Sequence, residues 1–114
     1  MIPGTTPTHT FTLPFTPPAG TNYRIVYAQG KEGLEEIVLE LTTERCTVEG
    51  NSLFVTLTKE ETLAFNSTLV WHKGRLMPLP VTIQVGVRTE GGDVMWSDII
   101  ETTVERCLRK DGVV

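Results

Sequence analysis

The chain has 114 residues, of which 39% are hydrophobic and 21% charged, and its net charge at pH 7 is −4. This length suits one domain with a single core, and the composition is that of a globular rather than a disordered protein. The acidic balance argues against nucleic acid as a partner, because phosphate binding requires a basic face. No apolar run approaches the roughly 18 residues of a membrane-spanning helix. The N-terminus lacks the basic and apolar regions of a signal peptide, so we expect synthesis in the cytoplasm and no membrane partner.

The N-terminal stretch stands out because no Asp, Glu, Lys or Arg occurs before Arg24. Within it, residues 8–15 alternate between apolar and threonine side chains, which predicts a strand. The side chains of the apolar face are His9, Phe11, Leu13 and Phe15. Pro14 has no N–H group, so the strand is expected to lie at a sheet edge or to end there. Residues 1–7 are predicted to form an arm that is free to contact a neighbouring subunit.

Period-2 alternation predicts further strands along the chain. They cover residues 23–28, 35–42, 45–58 (a hairpin around Gly50-Asn51), 68–72, 81–89 and 94–108. In the strand 35–42 the pattern directs Ile37, Leu39 and Leu41 to the core. In the last strand the alternation breaks at Ser97-Asp98, which predicts a bulge or a kink.

A single helical signal interrupts the strands. Thr58 and Glu61 have the spacing of a capping box, which predicts one or two helical turns over residues 59–65. Short strands separated by turns rich in glycine and proline are typical of an all-β, two-sheet β-sandwich of immunoglobulin-like or related topology. A small closed barrel is the alternative. We assign residues 8–108 to this domain and residues 109–114 to a frayed C-terminal tail.

Motifs of catalysis and of cofactor binding are missing from the sequence. Neither His9 nor His72 belongs to a recognisable motif, and no Gly-x-Ser-x-Gly occurs. Cys46 and Cys107 have no second Cys or His at metal-ligand spacing. We expect both to be reduced thiols packed as small hydrophobic groups, with a disulfide between them as the alternative. The sequence therefore predicts a non-catalytic protein without cofactor or metal.

The segment most like a binding site is Trp71-His72-Lys73-Gly74-Arg75. It sets an aromatic ring beside three groups that can be cationic, a combination able to stack on a sugar or to bind an acidic surface. The alternative, which the pattern favours, is that Trp71 packs in the core and the turn is merely solvated. Trp96 is likewise interpreted as a packing residue. The candidate interaction residues are His9, Phe11, Leu13, Phe15, Trp71, His72, Lys73 and Arg75.

Three stretches of the sequence carry a family resemblance. They are "MIPGTTPTHTFTLPF" at 1–15, "CTVEGNSLFVTLTKEETLAF" at 46–65 and "SDIIETTVERCLRKDGVV" at 97–114. The chain resembles short proteins encoded in prophages and phages of gut Firmicutes of the Clostridiales kind, and the resemblance covers nearly all of it. The segment "VWHKGRLMPLPV" is less similar. The resemblance implies a virion-associated accessory of the capsid, neck or tail, made in the bacterial cytoplasm, with no catalytic residue to carry over.

Two functions are compatible with these observations. In the first, the chain is a structural module that assembles with itself or with other virion proteins, its edge strand completing a neighbour's sheet. In the second, it is a small ligand- or glycan-binding module that uses Trp71, His72 and Arg75. The fold does not decide between them. Only two Trp and two Tyr occur, which favours assembly, because glycan-binding modules display several exposed aromatic side chains.

Overall fold

Strands dominate the computed structural model, which describes residues 4–30, 33–65, 69–72, 74–78, 80–96 and 100–103. The described strands are β1 (Thr8–Thr12), β2 (Asn22–Gln29), β3 (Glu36–Thr42), β4 (Cys46–Glu49), β5 (Ser52–Thr56), β6 (Leu69–His72), β7 (Arg75–Pro78), β8 (Pro80–Arg88), β9 (Val94–Trp96) and β10 (Ile100–Thr103). A 3-10 turn spans Thr43–Arg45, and one short helix, α1, spans Lys59–Leu63. The predicted all-β class is confirmed.

The main strands form two antiparallel sheets. One has the order β1-β5-β4, and the other has the order β10-β8-β2-β3, with β9 also paired to β8. This is the strand order of an immunoglobulin sandwich in which β1, β5 and β4 stand for strands B, E and D, and β9/β10, β8, β2 and β3 stand for G, F, C and C′. No described strand takes the place of strand A beside β1. Strands β6 and β7 form a separate hairpin.

The core lies between the two sheets. Its buried apolar residues are Phe11, Leu13, Tyr23, Ile25, Tyr27, Leu41, Leu53, Val55, Leu57, Phe65, Val81, Ile83, Val85 and Val87. Since residues of both sheets belong to this one cluster, the sheets pack face to face, as in a sandwich. The alternation predicted for β2, β5 and β8 is confirmed by their burial.

Strand β3 departs from its predicted alternation. The β2–β3 pairing passes from Tyr27 with Leu39 to Ala28 with Ile37, so β3 contains one extra residue, Val38. A bulge of this kind reverses the direction of the side chains beyond it. Ile37 is consequently 63% exposed, and its predicted place in the core is wrong.

The predicted break in the last strand lies outside the described residues, but the pairs on either side of it are shifted in register. Trp96 pairs with Gly86, whereas Ile100 pairs with Ile83.

Helix α1 begins with the predicted capping box. The Glu61 N–H donates to Thr58 Oγ1 (3.2 Å), and the Thr58 N–H donates to Glu61 Oε1 (2.7 Å). The helix is shorter than predicted, since it ends at Leu63, and Phe65 just beyond it is buried in the core. The capping box provides acceptors for backbone N–H groups that have no partner within the first turn of a helix.

Glu61 also forms an ion pair that joins three elements. Arg45 donates from Nη1 and Nη2 to the two carboxylate oxygens of Glu61, at 2.8 and 2.7 Å. Arg45 Nη2 also donates to the Thr56 carbonyl (2.9 Å). Chiefly because of the hydrogen bonds from Arg45, the pKa of Glu61 is lowered. The pair holds the 3-10 turn, the end of β5 and helix α1 together.

The segment that precedes β1 is attached to the sandwich. The hydroxyl of the fully buried Thr62 donates to the Thr5 carbonyl (2.9 Å), and the Gly4 N–H donates to the same hydroxyl (2.9 Å). The Leu57 N–H donates to the Pro7 carbonyl (2.9 Å). From Gly4 onward, the predicted arm is therefore bound to the chain's own helix and strand.

We expect Glu61→Gln to lower the free energy of unfolding by about 1–2 kcal/mol, because it removes the charge that Arg45 pairs with and weakens the helix cap. Glu60→Gln is the matched control, since Glu60 is an exposed neighbour in the same helical turn. Urea denaturation at neutral pH measures both variants. Equal losses of stability in the two variants would contradict a specific role for the Arg45–Glu61 pair.

Candidate functional site

The apolar face of β1 is directed into the molecule. Phe11 and Leu13 are 9% and 6% exposed, and Phe15 is half-buried against the same core cluster. His9 is also half-buried. These candidate side chains therefore line the chain's own core, and β1 offers a partner its outer backbone edge and its threonine face.

The backbone pairing of β1 determines which residues face that outer edge. The Leu13 N–H donates to the Asn51 carbonyl (2.7 Å), and the Leu57 N–H donates to the Pro7 carbonyl (2.9 Å). Because the backbone groups along an antiparallel strand alternate between its two sides, the odd-numbered residues of β1 face β5. The residues that face the open edge are Thr8, Thr10 and Thr12, and their side chains are exposed.

His9 connects the two sheets through Tyr27. The Nδ1 atom of His9 and the hydroxyl oxygen of Tyr27 share a hydrogen bond of 2.7 Å. The Tyr27 ring packs edge-on against Phe65, with ring centroids 5.9 Å apart. Burial lowers the pKa of His9 and raises the pKa of Tyr27. Both groups are thus held in their neutral forms within the core.

The second candidate cluster lies on the β6–β7 hairpin, outside both sheets. Trp71 pairs across the hairpin with Leu76, and the two side chains are 68% and 53% exposed. The interpretation of Trp71 as a core residue is therefore wrong, because the alternation of a hairpin outside the sandwich does not direct a side chain into the core. Arg75 is exposed and its backbone pairs with that of His72, while Lys73 lies outside the described residues.

Trp96, interpreted from the sequence as a packing residue, is 51% exposed. Its cross-strand partner on β8 is Gly86. A Cβ atom on Gly86 would lie 2.6 Å from Cζ3 and 2.7 Å from Cη2 of the Trp96 ring, so the ring rests directly on the glycine backbone. A glycine inside a strand often marks such a close approach, and Gly86 within "VTIQVGVRT" is the signal from which this contact could have been predicted.

Trp96 borders a groove of about 410 Å³ on the outer face of the larger sheet. The residues that line it include Asn22, Arg24, Thr43, Gly86, Arg88 and Trp96. The register places Trp96, Gly86 and Arg24 side by side on β9, β8 and β2. Since Gly86 has no side chain, the indole ring occupies the space that a side chain at this position would fill.

Among the described residues that line the groove, the charged ones are Arg24 and Arg88. Arg24 Nη1 lies 3.4 Å from Glu40 Oε1, in an exposed ion pair. The exposed side chain of Arg88 has no hydrogen-bond or ion-pair partner among the described residues. The groove therefore combines a half-exposed indole ring with an arginine that has no ion-pair partner among the described residues.

Cys46 is half-buried on β4 and has no disulfide partner among the described residues, and burial raises the pKa of its thiol. Cys107 lies outside the described residues, so the alternative of a disulfide is untested. In the part of the chain that the structure describes, no three His, Cys, Asp or Glu side chains are grouped as metal ligands would be. Within the same residues, no helix has the length and apolar character needed to cross a bilayer.

Comparison with known proteins gives no match: no protein-family model fits the sequence, and no curated protein is significantly similar to it.

The contact between Gly86 and Trp96 can be measured by a double-mutant cycle. We expect Gly86→Ala to cost about 1–3 kcal/mol of stability, because the new methyl group overlaps the indole ring. In a Trp96→Ala background the same change should cost little, since the ring is gone. Gly91→Ala is the control, because the nearest atom to its added Cβ is 4.0 Å away. If Gly86→Ala lowered the free energy of unfolding equally in the parent and in the Trp96→Ala background, the direct contact between the Trp96 ring and Gly86 would be contradicted.

The lowered pKa of His9 implies a pH dependence of stability. Between its folded pKa and about 6.5 the unfolded chain binds more protons, so stability should fall as the pH drops through this window. A His72→Gln background leaves His9 as the one titrating histidine, and adding His9→Gln should remove this component of the pH dependence. Urea denaturation between about pH 7.5 and about pH 5 measures it. Equal pH slopes with and without His9 would contradict the expectation.

Proposed function

We propose that this chain is a non-catalytic assembly module, a virion-associated structural or accessory protein of a phage, which joins a second copy of itself through the open edge of β1. The observation that carries the proposal is that edge. The backbone groups of Thr8, Thr10 and Thr12 are directed outward, and no described strand pairs with them. The phage context rests on the resemblance of nearly the whole sequence to short phage and prophage proteins.

The edge has little of the protection that natural sheets use against pairing. Edge strands are normally blocked by lysines, by inward-pointing charges, by bulges or by proline. Here prolines occur only at the limits of the accessible segment, at Pro7 and Pro14, and no charged side chain precedes Arg24. A partner strand can therefore approach β1 without desolvating a charge.

The segment is also complementary to itself. In an antiparallel pair of two β1 strands centred on Thr10, Thr8 of each copy lies opposite Thr12 of the other. Each of the facing pairs then exchanges two backbone hydrogen bonds, and the threonine side chains form cross-strand contacts on the outer face. The contact is isologous, as in most two-fold dimers, and it joins two three-stranded sheets into one.

A short edge contact is weak for an isolated pair, because stable interfaces bury roughly 1,200–2,000 Å². In a virion the same contact is repeated in many copies that other components hold in place. Linked contacts of this kind gain affinity from their high effective concentration. A weak, self-complementary edge is thus suited to a component of a larger assembly.

A second candidate function is that of a small ligand- or glycan-binding module. It is favoured by the exposure of Trp71 and Trp96, because open aromatic faces are surfaces on which sugar rings stack.

We expect the parent chain to show a mass rising toward twice 12.7 kDa with concentration, and Thr10→Lys and Thr10→Pro to stay monomeric. The lysine variant brings two like charges together at the two-fold axis, and the proline variant removes an N–H that faces the partner. Sedimentation equilibrium from about 10 µM to about 1 mM covers the range expected of a weak interface.

Two control variants distinguish the loss of edge pairing from the effect of changing the side chain at position 10 and from the effect of an added positive charge elsewhere on the protein. Thr10→Val keeps the N–H group and should still associate. Thr47→Lys places the same charge on an exposed position of β4, at the opposite side of the three-stranded sheet, and it should also associate. A parent chain that is monomeric throughout, or a Thr10→Lys variant that associates like the parent, would overturn pairing through β1.

A further inference from the structure

We propose that the groove beside Trp96 is a binding site for a carboxylate-bearing saccharide. This inference is independent of assembly through β1. The groove of about 410 Å³ is within the roughly 300–1,000 Å³ typical of small-molecule sites.

The aromatic floor of the site is built into the sheet. Atoms Cζ3, Cη2 and Cε3 of the Trp96 indole lie next to Gly86, where an added Cβ would come within 2.6 Å of the ring. Gly86 itself is buried, whereas Trp96 is 51% exposed. The ring is therefore held against the sheet at Gly86 and accessible elsewhere, and the C–H face of a sugar ring can pack on the accessible part.

Polar side chains also line the groove beside the Trp96 ring. Arg24 is the cross-strand neighbour of Gly86, and Asn22 is the cross-strand neighbour of Arg88. The amide of Asn22 has both donors and an acceptor, and the guanidinium groups have several donors each. A small number of such groups around an apolar surface is the usual composition of a small-molecule site.

The preference for a carboxylate comes from Arg88. Its exposed side chain has no partner among the described residues, whereas Arg24 is shared with Glu40. A guanidinium binds a carboxylate through two parallel hydrogen bonds. The ligand class that meets the indole face and the free arginine together is a sugar acid.

A saccharide fits this surface better than an acidic peptide does. The floor of the groove is the face of a sheet whose backbone groups are already paired with neighbouring strands. A peptide could not add to this face through its main chain, which is how extended peptides gain affinity at a sheet edge. A sugar acid offers its apolar face, its hydroxyls and its carboxylate within one ring.

The test follows the indole N–H of Trp96 by two-dimensional NMR while trigalacturonate is added to the full chain, with Trp71→Phe used to assign the signal. We expect saturable shifts of the Trp96 signal, and affinity about tenfold weaker in Arg88→Gln and in Gly86→Ala. Arg88→Gln keeps the length and polarity of the side chain, so it tests the charge even if Gly86→Ala perturbs folding. Arg75→Gln, on the hairpin, is the matched control and should bind like the parent.

Several results would overturn the proposal. If the Trp96 indole N–H signal did not shift at millimolar trigalacturonate, binding in the groove would be contradicted. Binding of neutral maltotriose as tight as that of trigalacturonate, or undiminished binding in Arg88→Gln, would remove the carboxylate assignment. A hexaglutamate peptide that binds the groove more tightly than the saccharide would assign the site to acidic peptides instead.

Discussion

The pairing of β2 with β8 is the interaction on which the rest of the structure depends. It runs without a register shift from Asn22 with Arg88 to Gln29 with Val81. The odd-numbered residues of both strands are buried between the sheets, and each large apolar side chain among them stabilises the fold by about 1.5–3 kcal/mol. Because side chains alternate strictly, this pairing also determines the outer face of the sheet. The position of Gly86 beside Arg24, and hence the gap that the Trp96 ring occupies, follows from the same register.

Features that depend on neighbouring residues could be predicted from the sequence. The capping box of Thr58 and Glu61 and the hairpin at Gly50-Asn51 are examples, because each is formed within a few residues of the chain. The exposure of Ile37 could not be predicted, because the bulge in β3 depends on its register with β2, a non-local property.

The two tryptophans show a different limit of sequence reasoning. The sequence favours core positions for Trp71 and Trp96, because large apolar side chains are usually buried. Whether a second layer covers a strand is a tertiary property, and the alternation of one strand does not reveal it. Only the glycine at position 86, in a strand of otherwise β-branched and polar residues, carries a local signal of the site. The surfaces with a candidate function are thus the places where local patterns and tertiary structure differ.

The open edge of β1 and the groove at Trp96 belong to different sheets, and this separation has a functional consequence. Gly4 and Thr5 are held against α1 by Thr62, and no described strand pairs with the outer edge of β1. The groove lies on the outer face of the other sheet. Pairing through β1 would therefore leave both grooves of a dimer accessible. In such a dimer, two saccharide-binding grooves would bind a repetitive saccharide surface more tightly than one groove would, because the second contact would form at high effective concentration. Assembly and saccharide binding are in this way compatible in one chain, and assembly would convert a weak single-site affinity into a useful one.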